Sequence, residues 1–314
     1  MSSARSSREK KMRILWAVDA FEEKGQVRTH LVEALRRMAA GRPVEIEPVY
    51  VLSPDELDLT VDLAAPWVRQ FRPAVEKAIA NIIKGVDLPG LLPPQILIQK
   101  KSSLTNAVRT LTRYAKSSGA ELIAIGTHGR KGLERVFMGS FAESTLMNSK
   151  VPVLVVGPET KVGELDHILF ATDFSQRSSA IFDRVIRLAK VMDARLSVFH
   201  SIPHPLEPVF ESGMFLLGGS WVPVPEFLSA RESWSRKRLD QWEARARKAG
   251  VETESVIDST PGGVSDSIVR EARARKAGIV AMAAQTGPLA SALIGSITRQ
   301  VVRKAPCPVW VIRA

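Results

Sequence analysis

The chain has 314 residues, about twice a common domain length of roughly 150, so two domains are expected before any motif is read. With 45% hydrophobic and 25% charged residues it is neither a disordered nor a fibrous chain. Its charge of +11 raises a nucleic-acid partner, but the excess is even, with 23 Lys+Arg against 17 Asp+Glu in residues 1–160 and 21 against 16 in residues 161–314.

The basic opening, Met1 to Arg13, is followed by only five apolar residues before Asp19, too few for a secretory segment. Residues 1–11 are therefore expected to be a disordered basic tail, and the protein cytoplasmic. Apolar runs such as Val153 to Val156 and Ile279 to Ala284 fall far short of the roughly 18 residues that span a bilayer. The single cysteine, Cys307, forms no intrachain disulfide and completes no zinc set.

From residue 12 onward, short apolar runs alternate with helical patterns. Strands are expected at 13–18, 44–51, 95–99, 121–125 and 152–156. Between the first two, Val27, Leu31, Leu35 and Met38 recur at helical spacing and form a core stripe without implied chemistry. The fourth strand runs into Gly126-Thr127-His128-Gly129, then nine residues, then Gly139-Ser140 at the start of a helical pattern reaching Met147. Glycines let a backbone approach a ligand closely, and a helix start supplies free N–H groups and the positive end of its dipole. This arrangement suits a phosphate, with the Ser140 hydroxyl adding a bond. Arg130 and Lys131 lie nearby and are equally suited to solvent.

After a boundary at Gly157 to Glu164 the pattern repeats. Arg13 to Asp19 is echoed by His167 to Asp173 at an offset of 154, whereas Gly139-Ser140 recurs as Gly295-Ser296, and Val151 to Val156 as Cys307 to Ile312, at 156. The chain therefore reads as domain 1 over 12–160 and domain 2 over 161–314. Ile181, Val185, Leu188 and Met192 form the second copy's first helix stripe. Residues 203–234, rich in Pro and aromatic side chains, suit an ordered excursion that covers its own domain, forms a lid or makes a dimer contact. The dense run Arg231 to Lys248 is interrupted by Glu232, Asp240 and Glu243, which a solvated helix face explains more simply than a nucleic-acid groove.

Alternating strands and helices imply an α/β fold in which each copy is a doubly wound, five-stranded parallel sheet of order 3-2-1-4-5 with helices on both faces. In that order the first and fourth strands are neighbours where the winding reverses, and their carboxyl ends flank the ligand crevice. Asp19 then stands opposite Gly126, either as an acceptor for ribose or base, as a partner for a hydrated cation, or as a cap for the next helix.

These residues resemble the universal stress protein family in its tandem two-domain form. The resemblance implies ATP held between the first and fourth strands, with or without magnesium. Its contacts would be Ala17, Val18 and Asp19 at the first strand, Val51 at the second, Ile125, Gly126, His128 and Gly129 at the fourth, and Gly139, Ser140 and Phe141 at the helix start. It also implies final strands paired across a pseudo-twofold within the chain, Val153 to Val156 beside Val309 to Ile312. The second copy departs from the pattern: Gly287 and Gly295 are separated by seven residues, Ala284 stands three before Gly287, and the register between Ala283 and Gly287 is ambiguous. Weak or absent nucleotide binding is expected there, with a structural or partner-binding role.

The expected function is a cytoplasmic ATP-binding sensor or regulator of the stress response, acting through a protein partner, with a homodimer of such chains compatible. The alternatives are a scaffold that binds protein or lipid without nucleotide, and a slow ATPase. No Gly-rich loop ends in Gly-Lys-Ser or Gly-Lys-Thr, and the five histidines are scattered without triad or metal spacing, so no catalytic or metal residues are assigned.

Overall fold

The computed structural model describes residues 11–19, 25–53, 65–99, 103–127, 139–202, 213–215, 221–284 and 295–313, with backbone alone at 65–70, 213–215 and 221–227. The chain divides into two compact units, Met1–Pro158 and Glu159–Ala314. The first contains β1 (Met12–Ala17), α1 (Gln26–Ala39), β2 (Val44–Leu52), α2 (Ala65–Ile83), β3 (Gln95–Ile98), α3 (Leu104–Ser117), β4 (Leu122–Gly126), α4 (Ser140–Asn148) and β5 (Val153–Val156). Its strands lie in the order β3-β2-β1-β4-β5, every pair parallel. Right-handed crossovers then put α1 and α2 on one face, α3 and α4 on the other. Strands covered on both faces must be apolar throughout, and Ile14, Leu15, Trp16 and Leu122 to Ile125 are all buried. On α1, Leu31, Ala34, Leu35 and Met38 form the buried stripe, while Val27 at the first turn is only half-buried.

The second unit contains β6 (His167–Ala171), α5 (Gln176–Met192), β7 (Arg195–Ser201), β8 (Gly213–Phe215), β9 (Trp221–Pro223), α6 (Val224–Lys248), β10 (Thr253–Asp258), α7 (Val264–Ala274), β11 (Ile279–Ala283), α8 (Ser296–Lys304) and β12 (Val309–Ile312). Its main sheet repeats the topology as β10-β7-β6-β11-β12, again parallel. Each unit therefore has the predicted doubly wound, five-stranded architecture. The described parts of the aromatic excursion form an antiparallel pair, β8 with β9, running directly into α6. Along α6 three cations are paired at the surface, Arg236 with Glu232, Arg247 with Glu243 and Arg245 with Asp183, as suits a solvated face. The helix is anchored by Leu239, Trp242 and Ala246, and the Trp242 ring sits 5.9 Å from Phe170 and 4.6 Å from Phe182. No helix among the described residues is long and apolar enough to cross a membrane.

At the amino ends of the strands the units differ. In the first, Arg13 donates to Glu47 at 2.8 Å and Tyr114 donates to the same carboxylate at 2.9 Å. In the second, the corresponding site holds His167, with Nε2 2.7 Å from Ser197 Oγ and Nδ1 3.2 Å from the Arg275 carbonyl; Ser197 donates to Glu254, which also pairs with Arg275. Gly278, at the entry to β11, is fixed by close approach: a Cβ there would lie 2.2 Å from the Glu164 carbonyl oxygen and 2.8 Å from the Leu165 Cα, both main-chain atoms. Substituting Gly278→Ala should therefore overpack this crossing and cost about 1–3 kcal/mol, read as a lower denaturant midpoint for the second unit. An unchanged midpoint would refute that reading of the crossing.

Candidate functional site

In the first unit β1 is bonded on one side to β2 and on the other to β4, with Trp16 opposite both Pro48 and Ala124. The helices that follow β1 and β4 leave toward opposite faces, so the strand ends part and a crevice opens between them. Two main-chain bonds hold its walls. The Val18 N–H donates to the Val49 carbonyl at 2.9 Å, carrying the chain one residue beyond β1 to Asp19. The Thr127 N–H and hydroxyl both donate to the Val156 carbonyl, at 2.9 and 3.3 Å, fixing the departure of the loop after Gly126.

Ala17, Val18 and Asp19 lie at the carboxyl end of β1, Val51 near that of β2, and Ile125 and Gly126 at that of β4, where they pair with Val155 and Val156. The β4–α4–β5 unit is parallel, so α4 must run back from the carboxyl edge and its amino end faces the strand ends. Gly139 caps that end with φ −54° and ψ 138° and, as a glycine, makes no side-chain cap bond. The first helical bond is from the Glu143 N–H to the Gly139 carbonyl, 3.0 Å, so the amides of Ser140, Phe141 and Ala142 precede the ladder. Ser140 is exposed and Phe141 half-buried. His128 and Gly129 lie outside the described residues, as do Arg130 and Lys131. The structure thus brings together nine of the eleven predicted contacts on one edge of one unit, in an arrangement that offers main-chain donors to an anion and a carboxylate to a hydroxyl.

Asp19 is not the cap of α1. Helix α1 begins at Gln26 with Gly25 as its cap, and no side chain completes that cap. The second unit shows the contrast. There α5 begins three residues after the matching aspartate, and Asp173 Oδ1 accepts from the Ser175 N–H at 3.0 Å and the Ser178 hydroxyl at 2.6 Å. Ser175 is the helix cap and accepts from the Ser178 N–H at 3.2 Å. Burial of Oδ1 opposes ionisation, but the bonds from Ser178 and Ser175 outweigh it and hold the carboxyl below its ordinary value. No sequence spacing alone separated the two aspartates; Ser175 and Ser178 were the readable signal.

The register of the second unit corrects the reading of its glycines. Ala283 pairs with Ile312 as Gly126 pairs with Val156, and Ala284 donates to the Ile312 carbonyl as Thr127 does to that of Val156. The glycine position is therefore taken by Ala283, and Ala284 corresponds to Thr127; Gly287 lies outside the described residues. The helix start is retained, since Gly295 caps α8 at φ −54° and ψ 142°. Elsewhere, burial pushes the Cys307 thiol up to about 12, which leaves it inert as a nucleophile. Among the described residues no group of three or more His, Cys, Asp or Glu side chains is arranged to hold a metal.

Comparison with known proteins agrees with this architecture. The universal stress protein family profile matches residues 11–157 and 164–313. A universal stress protein of Methanocaldococcus jannaschii is 46% identical over 46 residues, which is 15% of this chain and 27% of that relative's length. A putative universal stress protein of Staphylococcus haemolyticus is 26% identical over 150 residues, 47% of this chain and 84% of the relative. The crystal structure of a universal stress protein from Archaeoglobus fulgidus, 18% identical, superposes with a TM-score of 0.63 over 96% of each chain and shares its fold. Two profile matches that between them span nearly the whole sequence, on two sheets of the same winding, place this chain in the universal stress protein family.

Proposed function

We propose that the first unit holds ATP in the crevice between β1 and β4, and that the chain acts as an ATP-responsive regulator of the stress response. The observation that carries this reading is the amino end of α4, which is capped by a glycine without a side-chain bond and faces the carboxyl edge where Gly126 ends β4. A phosphate tail suits those donors: it accepts several N–H bonds and gains from the positive end of the dipole. Gly126 keeps the neighbouring wall free of a side chain. Asp19, at the carboxyl end of the central strand, is suited to accept from a ribose hydroxyl. The Val18 N–H is committed to Val49, so Val18 offers its carbonyl, and with Ala17 and Val51 it lines the end where the base would rest. His128, Gly129 and Gly139 complete the proposed contacts, with Ile125 and Phe141 as apolar neighbours of the ligand. Main-chain donors serve the phosphates with or without magnesium.

The second unit is a poor match for the same ligand. Ala283 replaces Gly126, and Asp173 is bonded into the cap of α5. One nucleotide per chain follows.

Titration calorimetry on the full chain should give one ATP site per chain. Gly126→Val adds a branched side chain at the buried carboxyl end of β4 and should weaken binding at least ~100-fold, with the thermal midpoint of the variant read alongside to separate this from loss of the fold. Asp19→Ala should weaken it about tenfold, the loss of one ribose bond. Binding unchanged by Gly126→Val, or no heat at millimolar ATP, would contradict the proposal.

A further inference from the structure

We propose that His200 is a protonation switch for the second unit: acidification below neutrality frees the turn Thr172 to Ser175, and the α6 segment packed on it, from the end of β7.

His200 is the penultimate residue of β7 and only 5% exposed. Its Nδ1 lies 2.8 Å from the Thr172 carbonyl oxygen, an acceptor, so Nδ1 carries the hydrogen and Nε2 is the lone pair of a neutral ring. That Nε2 is buried and has no hydrogen-bond partner among the described residues. The Phe174 ring lies across the imidazole at a centroid distance of 4.4 Å, and Trp234 and Trp242 of α6 meet Phe174 edge-on at 5.5 and 5.7 Å. Phe174 itself has φ 59°, a left-handed conformation unfavourable for a bulky residue, held by its N–H donating to Thr172 Oγ1 at 3.0 Å. The turn thus stores strain and closes over a group that changes charge near neutrality.

A proton added at Nε2 would have nowhere to go. It would create a buried N–H without an acceptor among the described residues and a charge withdrawn from water, and either costs more than the neutral ring does. The charged groups facing the imidazole are Asp173 of the turn, which favours the proton, and Arg231 of α6, which opposes it. Burial is the largest influence and pushes the imidazole below its ordinary value of 6.5, against the Thr172 carbonyl and Asp173. His167, the other buried imidazole among this unit's described residues, is also pushed below its ordinary value, chiefly by burial, but its bonding differs. Arg275 carbonyl and Ser197 Oγ stand opposite its two ring nitrogens, so the folded structure has an oxygen acceptor for a proton at either. Arg195 and Arg275 oppose its charge and Glu254 favours it. The first unit does not carry a histidine at the equivalent position. Thr172 donates to the Phe199 carbonyl as Val18 donates to that of Val49, which makes Tyr50 the counterpart of His200, a phenol that does not titrate near neutrality.

The sign follows from linkage. A histidine whose value is lowered in the closed state binds its proton more readily in the open one. Closure is therefore fully stable above about 6.5 and loses ground below it, by up to about tenfold per pH unit, until the closed form titrates too.

Hydrogen exchange read by mass spectrometry on the full chain, corrected for the intrinsic rate, should show opening of residues 172–175 and 228–242 increasing by up to about fivefold between pH 6.5 and 5.5. His200→Tyr, which installs the first unit's residue, should abolish this dependence, and His167→Gln should retain it. Should His200→Tyr not fold, the ring proton resonances of His200 in the unmodified protein decide the matter. Titration below 6.5 supports the switch; titration at or above 6.5 overturns it. Equal protection at the two pH values, or a dependence that survives in folded His200→Tyr, overturns it as well.

Discussion

The structure depends on one constraint, applied twice: a central parallel strand must be hydrogen-bonded to neighbours on both sides while the chains leaving two adjacent strands turn to opposite faces. In the first unit this strand is β1, between β2 and β4, and in the second it is β6, between β7 and β11. The sheet cannot close at that point, because one helix-bearing connection leaves above it and the other below. The resulting opening is a backbone feature. It is fixed by bonds such as Val18 to Val49 and Thr172 to Phe199, which no side chain controls. A duplicated chain can therefore keep the opening while the residues around it diverge.

That divergence is the most informative comparison in the molecule. At the first strand's end, Asp19 is followed by a connection long enough that Gly25 caps the next helix, whereas Asp173 is followed at once by Ser175 and the cap network. At the fourth strand's end, Gly126 becomes Ala283. On the second strand, Tyr50 belongs to an apolar cluster with Leu52, Val75, Ile79 and Ile96, but its counterpart His200 brings a titratable ring into the same layer. At the opposite end of the sheet, the Arg13–Glu47 pair is replaced by the His167–Ser197–Glu254 chain. Each change on its own is small. Together they give the first unit a crevice suited to an anionic ligand and the second a set of internal polar bonds that respond to protons.

Much of this was legible in the sequence. Strand alternation and the Leu31–Leu35–Met38 and Ile181–Val185–Leu188–Met192 stripes are local patterns, and the residues of both stripes are buried. The repeat was visible because short apolar runs before Asp19 and Asp173 must be buried on both faces, which limits their composition. The site was legible where it consists of backbone, at Gly126 and Gly139. It was not legible where register shifts between landmarks: offsets of 154 at the first strand and 156 at the last gave no means of placing Ala283, which only the pairing with Ile312 does. Nor could spacing distinguish a capping aspartate from one outside a cap, since that depends on where the following helix starts. His200 was seen only as a histidine near prolines; its packing under Phe174 and α6 joins residues far apart in the chain.

On the proposed reading, the amides opening α4, rather than those opening α8, grip a phosphate tail. The direct measurement is backbone amide chemical shift on addition of ATP, comparing residues 140–142 with residues 296–298. The account predicts large downfield shifts at Ser140, Phe141 and Ala142 with Ser296, Ile297 and Thr298 unmoved. Shifts of equal size at both helix starts, or at α8 alone, would contradict it.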